Sequence, residues 1–132
     1  NLKNVDYNVL DGIGVRGEYD LLISNILTEQ AGDPEVFVNQ YWKTNVDGSN
    51  PQNGSGYSNP EYDALSDQLA SEFDPAKRRD IIIKMEKIVQ DDAATLIFGY
   101  PQTNMVSNKS VQNANIYPCD YYWVTKDITP AK

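Results

Sequence analysis

Three short motifs, each an Asp or Asn residue followed by proline, most constrain what this chain can fold into. In each motif the side-chain oxygen of the first residue can accept hydrogen bonds from free amide groups in the first turn of a helix. The proline suits the first helical position because it has no N–H group to leave unpaired there. The sequence therefore predicts three helices, which begin at the motifs Asp33-Pro34-Glu35, Asn59-Pro60-Glu61 and Asp74-Pro75-Ala76.

Apolar residues recur at helical spacing after each of these motifs, which predicts that each helix buries one face. The first helix is predicted over residues 34–44 and the third over residues 75–91. Lysine and arginine side chains of the third helix are predicted to point outward. The predicted apolar positions are Phe37, Val38, Tyr41 and Trp42 in the first helix, Tyr62, Leu65 and Leu69 in the second, and Ile81, Ile82, Met85, Ile88 and Val89 in the third.

Four other segments favour β-structure, namely residues 2–5, 19–23, 95–100 and 121–125. The second is nearly all apolar, as in a strand that is buried on both faces. Between the first two segments, Gly12, Gly14 and Gly17 are expected to interrupt any helix. We therefore predict an α/β fold, a short and mostly parallel sheet flanked by three main helices, in a single domain over residues 1–132.

Composition excludes several classes of function. The 132 residues include 11 Lys and Arg against 19 Asp and Glu, a net charge of −8 that argues against a nucleic-acid partner. Histidine is absent and Cys119 is the only cysteine, so we expect no metal, no cofactor and no histidine-dependent catalysis. No apolar run is long enough to span a membrane. The chain begins at Asn1 rather than at Met, which favours a processed or trimmed chain.

Other motifs receive a structural interpretation. The pattern Gly12-x-Gly14-x-x-Gly17 matches the dinucleotide fingerprint only formally, because it precedes a predicted strand instead of following one. The loop at 45–59, rich in Asn, Ser and Gly, is predicted to be a surface connector and lacks the acidic ligands of a calcium loop. Carboxylates at the predicted helix starts are explained as caps, and adjacent Asp91 and Asp92 as solvated residues.

The order of four motifs carries a family resemblance. They are Gly17-Glu18-Tyr19-Asp20-Leu21, then Asp33-Pro34, then Gly56-Tyr57-Ser58-Asn59-Pro60-Glu61-Tyr62-Asp63-Ala64-Leu65, and then Phe73-Asp74-Pro75-Ala76-Lys77-Arg78-Arg79. In this order they resemble the C-terminal part of the oligopeptide- and nickel-type solute-binding proteins of ABC transporters, which form bacterial extracellular solute-binding protein family 5. The resemblance covers about residues 17–101.

The resemblance implies part of a lobe of the type II periplasmic-binding-protein fold, at the C-terminal end of a larger two-lobed protein. It implies a binding protein without catalytic residues that captures a peptide, a nickel chelate or a related small solute. The implied partners are that solute and the membrane permease of the transporter, with the binding protein itself a monomer. The implied location is extracytoplasmic, with the export signal and any lipid anchor in the N-terminal part of the complete protein.

Candidate ligand-binding residues follow from two arguments. Ligands of α/β sheets usually lie beyond the carboxyl ends of strands, which points to residues 24–30 and to Tyr100. Peptide-binding relatives often have Trp and Asp where this chain has Leu27 and Gln30. Gln30 can hydrogen-bond an ammonium group without pairing with its charge, and Glu29 is a possible substitute. The complete set of candidates is Ser24, Asn25, Leu27, Glu29, Gln30, Trp42, Tyr57 and Tyr100, of which Trp42 and Tyr57 could equally brace the core.

Two further function classes remain open from the residues alone. One is a small stand-alone hydrolase in which tyrosine and carboxylate side chains perform acid–base chemistry. The other is an interaction domain that uses an acidic surface rich in aromatic residues, since the chain has nine tyrosines and two tryptophans.

Overall fold

The computed structural model describes residues 2–26, 32–100, 102, 104–117 and 124–131. The chain forms two compact units, Asn1–Leu96 and Ile97–Lys132. Helices occupy the first unit and a small sheet the second. The elements are α1 (Tyr7–Arg16), α2 (Pro34–Trp42), α3 (Pro60–Ser71), α4 (Pro75–Asp91), β1 (Val111–Gln112) and β2 (Thr129–Pro130).

The three helices predicted from the Asx-Pro motifs are confirmed, and each begins at the predicted proline. The residue before each proline has an extended backbone and caps the first turn with its side-chain oxygen. These capping bonds run to Asp33 from the amide of Glu35, to Asn59 from those of Glu61 and Tyr62, and to Asp74 from those of Ala76 and Lys77. The capping side chain and the proline thus set the start of each helix locally.

Helices α2, α3 and α4 pack on one another and enclose a single apolar core, called here the three-helix core. The side chains of Tyr62, Leu69 and Met85 are completely buried in it. The phenol of Tyr62 donates a hydrogen bond of 2.7 Å to the carbonyl oxygen of Val38, which pairs the one polar atom that this ring brings inside. The buried apolar residues are Val38, Trp42, Tyr62, Leu69, Ile81, Ile82, Met85 and Val89. All of them lie at positions that the helical spacing predicts to be apolar and inward.

The predicted mostly parallel sheet is wrong for the residues that the structure describes. Residues 2–5, 19–23 and 95–100 form no strand, and of the segment 121–125 only 124 and 125 are described, also outside any strand. The strands present in the described ranges are β1 and β2, which are antiparallel, with Val111 opposite Pro130. A β-favouring sequence becomes a strand only when a partner supplies the ladder of backbone hydrogen bonds, and these segments find no such partner among the residues that the structure describes.

Helix α1 differs from the sequence prediction, which expects its glycines to interrupt a helix. Asp6 caps its start by accepting a hydrogen bond from the amide of Asn8. Gly17 ends it in the left-handed conformation, with φ 65°, and donates its N–H to the carbonyl of Gly14. An interior glycine costs only about 1 kcal/mol relative to alanine, so a well-capped helix can contain Gly12 and Gly14.

The outer face of α4 is basic, as the sequence predicts, with Lys77, Arg79, Lys84 and Lys87 exposed to solvent. Arg78 differs from this pattern, since it is half-buried and turns toward the neighbouring helices. In the described part of the chain, no helix has the length and apolar character that crossing a membrane requires.

Candidate functional site

The candidate binding residues that follow the 19–23 segment lie partly in the described structure. Ser24 and Asn25 are exposed and lie outside regular secondary structure. Tyr100, in the second unit, is 85% exposed. The remaining candidates of this segment, Leu27, Glu29 and Gln30, lie outside the described residues.

The two aromatic candidates of the first unit contact the core. Trp42 is buried, and its ring meets that of Phe37 edge to face at a centroid distance of 5.0 Å. Tyr57 packs against the three-helix core, and its ring lies edge-on to that of Tyr62 at 6.1 Å. Both contacts are of the kind that stabilises aromatic clusters in protein interiors. The structure thus places the rings of Trp42 and Tyr57 each against the three-helix core.

The hydroxyl of Tyr57 belongs to a polar cluster at the C-terminal end of α4. It donates a hydrogen bond of 2.6 Å to Oδ2 of Asp92, and Nδ2 of Asn59 donates one of 2.8 Å to the same oxygen. The bond from Tyr57 and then that from Asn59 lower the pKa of the Asp92 carboxyl. The folded state therefore favours the ionised Asp92 carboxylate. The two hydrogen bonds stabilise the fold at pH values above the ordinary carboxyl pKa, and this stabilisation is lost as the pH falls through the lowered pKa of Asp92.

The pKa of Tyr57 gives a first testable prediction. Burial, and next the hydrogen bond to Asp92, raise it from 10.0 to about 12. The folded state therefore favours the neutral phenol, and stability is lost as the pH rises between 10.0 and about 12. We expect Asp92→Asn to lower this pKa only partly, because burial remains. Difference titration of phenolate absorbance against Tyr57→Phe measures the effect, and a Tyr57 that titrates normally in the folded protein would contradict it.

The 45–59 loop is held by two asparagine amides that sequence reasoning missed. Nδ2 of Asn50 donates to the carbonyl oxygens of Asn39 and Lys43, at 2.9 and 2.6 Å. Nδ2 of Asn53 donates to the carbonyls of Lys43 and Tyr57, at 2.9 and 2.8 Å. These carbonyls lie in the last turn of α2, at its C-cap Lys43 and within the loop, and that of Asn39 also accepts the backbone N–H of Lys43. The loop is a surface connector as predicted, but a buried side chain holds it in place, since Asn53 is only 3% exposed and its amide bonds to backbone carbonyls.

Arg78 joins the three helices of the core at one point. Its Nη2 donates to carboxylate oxygens of Asp33 and Glu35 at the start of α2, both at 2.8 Å. Its Nη1 donates to the backbone carbonyls of Leu69 and Glu72 at the end of α3. The planar guanidinium can bond to acceptors that lie in different directions. The hydrogen bond to Glu35 raises the pKa of Arg78 most, and the bond to Asp33 raises it next. Of the basic residues near the start of α4, Arg78 therefore departs from the prediction of a fully solvated face, because its side chain bonds to α2 and α3.

The carboxylates in these networks act as structural acceptors. Asp63 accepts hydrogen bonds from the amide and the hydroxyl of Thr44, at 2.9 and 2.5 Å, and so ties the end of α2 to the first turn of α3. Within the described ranges, no group of three or more metal-ligating side chains is placed to hold an ion. Every buried side-chain nitrogen and oxygen of the described residues has a hydrogen-bond partner. The arrangement is that of a scaffold in which polar side chains satisfy backbone groups.

Comparison with known proteins finds one informative similarity. The chain is 32% identical over 110 residues to the probable D,D-dipeptide-binding periplasmic protein DdpA of Escherichia coli (strain K12). The alignment covers 83% of this chain and 21% of the relative, so the chain spans about a fifth of that protein's length. No family model matches the chain. No solved structure matches it either.

The name of this relative agrees with part of what the motifs imply. DdpA is described as a binding protein and not as an enzyme, and as a periplasmic one. Of the ligands that the motifs imply, the name of this relative supports a peptide and gives no support to a nickel chelate. It gives no support to a lipid anchor either. The alignment with this relative covers 83% of the chain, so the similarity extends well beyond the individual motifs.

Proposed function

We propose that this chain is the C-terminal lobe segment of a solute-binding protein of family 5. The complete protein captures a dipeptide or a related small peptide outside the cytoplasm and delivers it to the permease of an ABC importer. The observation that carries this proposal is the similarity to DdpA over 110 residues, at 32% identity. The ordered motifs of residues 17–101 also support it.

The exposed apolar side chains of the β-favouring segments support the proposal that the chain is a segment of a larger lobe. Leu21 and Ile23 are 80% and 61% exposed, although their segment is nearly all apolar. Phe98 and Tyr100 in the second unit are 76% and 85% exposed. Soluble proteins rarely leave clustered apolar residues uncovered without a partner. In a complete lobe these side chains would be covered by the rest of the protein.

The proposed ligand contacts lie in residues 24–30, with Ser24, Asn25 and Leu27 lining the cleft and Glu29 or Gln30 orienting the solute. Tyr100 is a further proposed contact. This assignment rests on the sequence, in which the segment precedes the Asp33-Pro34 motif, and on the exposure of Ser24 and Asn25. The contacts of Trp42 and Tyr57 with the core favour a supporting role for these two residues.

The proposal is tested with the complete protein and D-alanyl-D-alanine as the probe. We expect saturable binding by calorimetry without conversion of the dipeptide, and Gln30→Ala should weaken it by ~0.5–3 kcal/mol if the amide makes a buried hydrogen bond. Gln68→Ala is the matched control, since Gln68 is exposed on α3, and it should leave affinity unchanged. Absence of binding to D,D- and L,L-dipeptides would contradict the proposed function, and hydrolysis of the probe would favour the hydrolase alternative.

A further inference from the structure

The 45–59 loop contains the chain's single Asn-Gly pair, Asn53-Gly54. This dipeptide is the most reactive sequence for spontaneous deamidation, because glycine leaves its backbone nitrogen unshielded. That nitrogen loses its proton to a base in solution and attacks Cγ of the asparagine, so that a C–N bond forms; the bond from Cγ to Nδ2 then breaks, and the nitrogen takes up a proton from water and leaves as ammonia. Water then opens the resulting succinimide ring and yields aspartate or isoaspartate.

The folded loop holds the reacting groups apart. Both hydrogens of the Asn53 amide are engaged by the carbonyl oxygens of Lys43 and Tyr57. Its Oδ1 accepts a hydrogen bond of 2.9 Å from the hydroxyl of Ser55. Ring closure requires Cγ to swing toward the nitrogen of Gly54, which would break these three bonds at once. The side chain is also 3% exposed, so ammonia would have to leave from a site that water barely reaches.

The products of the reaction do not fit the place that Asn53 occupies. A carboxylate has no hydrogen to donate, so the carbonyls of Lys43 and Tyr57 would lose a donor and face a buried negative charge. Isoaspartate also adds a methylene group to the backbone directly before Gly54. That glycine packs so closely against the backbone of Gly14 that even a β-carbon on it would overlap the Gly14 carbonyl oxygen.

We propose that Asn53-Gly54 is a deamidation site that the folded loop suppresses and whose product prevents the loop from re-forming. The reaction occurs when the loop opens or the chain unfolds, and it converts a reversible opening into a permanent one. A modified Asn53 side chain thus marks a chain in which the loop has opened or unfolded. This inference concerns the loop itself and is independent of any solute that the protein binds.

Asn50 provides an internal control in the same loop. Its amide also donates to the carbonyl of Lys43 and to a second backbone carbonyl, that of Asn39. The residue that follows it is Pro51, whose nitrogen carries no hydrogen and cannot form the same succinimide. The two asparagines therefore share a structural role and differ in the chemistry of the next residue.

The first experiment compares deamidation rates in the complete protein under native conditions and in concentrated urea, at the same mildly alkaline pH. Peptide mapping by mass spectrometry follows Asn53 and Asn50 separately. We expect Asn53 to deamidate at least about tenfold more slowly in the native protein, because only the open fraction reacts. Asn50 should stay intact in both. Equal rates for Asn53 in the two conditions would overturn the proposed suppression.

The second experiment tests the product. Protein that is partly deamidated in urea is returned to native conditions, folded and misfolded fractions are separated by size-exclusion chromatography, and each is mapped. Chains modified at Asn53 should be depleted at least about threefold from the folded fraction, as expected for a marginally stable fold that loses a buried hydrogen-bond donor. An equal share of modified chains in both fractions would show that the loop tolerates the product and would overturn this part of the proposal.

Discussion

Replacing Met85 by alanine is expected to destabilise the three-helix core by about 2–4 kcal/mol. Met85 is completely buried on the inward face of α4, in one cluster with Tyr62 and Leu69. The truncation removes the contacts of the thioether chain and leaves a cavity that three packed helices can close only in part. Urea-induced unfolding of the purified protein, followed by circular dichroism at helical wavelengths, measures the loss.

Two variants on the same helix test the reason for that loss. Met85→Leu keeps a similar volume and should cost less than about 1.5 kcal/mol. Ile83→Ala removes an apolar side chain that is 54% exposed, so it should cost well under half as much as Met85→Ala. A Met85→Ala protein as stable as Ile83→Ala would mean that Met85 is not buried in a close-packed core.

The helices of the core could be predicted from sequence because their signals are local. At Pro60, for example, the capping side chain, the proline and the first inward residue, Tyr62, lie within four positions of one another, and each favours the same structure. Helix α1 carries equally local signals, the cap at Asp6 and the left-handed Gly17, but its interior glycines predict an interrupted helix. A cap at each end outweighs the modest cost of an interior glycine.

The sheet could not be predicted in the same way, because a strand depends on a partner elsewhere in the chain or in another part of the protein. The segment around Leu21 has the composition of a buried strand and yet forms no ladder in this chain. In contrast, β1 and β2 are short and exposed, and nothing in their composition distinguishes them: β2 even includes Pro130. Strand pairing thus depends on contacts between distant segments more than on the local sequence.

Side chains that bond to side chains distant in the sequence were also beyond sequence reasoning. The helical pattern predicts Arg78 on a solvated face, although it reaches carboxylates more than 40 positions earlier in the chain. The position of Asp92 at a helix end predicts a solvated side chain, although Tyr57 and Asn59 donate hydrogen bonds to it from the loop before α3. In each case the residue type permits either role, and the three-dimensional path of the chain decides between them.

Replacing Gly54 by alanine is expected to destabilise the protein by about 3 kcal/mol or more, although it adds only one methyl group. The backbone of Gly54 lies against the last turn of α1, and a β-carbon there would overlap the carbonyl oxygen of Gly14 and approach the backbone of Val15. Reciprocally, a β-carbon at Gly17 would overlap the carbonyl oxygen of Gly54. These obstacles are backbone atoms, so no change of rotamer can relieve them.

Substitutions at two other glycines distinguish the effect of this steric overlap from the effect of backbone conformation alone. Gly99→Ala meets no atom and requires no left-handed conformation, so its stability should stay within about 1 kcal/mol of the parent. Gly48→Ala also meets no atom but has φ +83°, so it should cost only the left-handed penalty of about 1–2 kcal/mol. Unfolding in urea should therefore rank Gly54→Ala as the least stable of the three. A Gly54→Ala protein as stable as Gly99→Ala would show that α1 does not pack against the 45–59 loop.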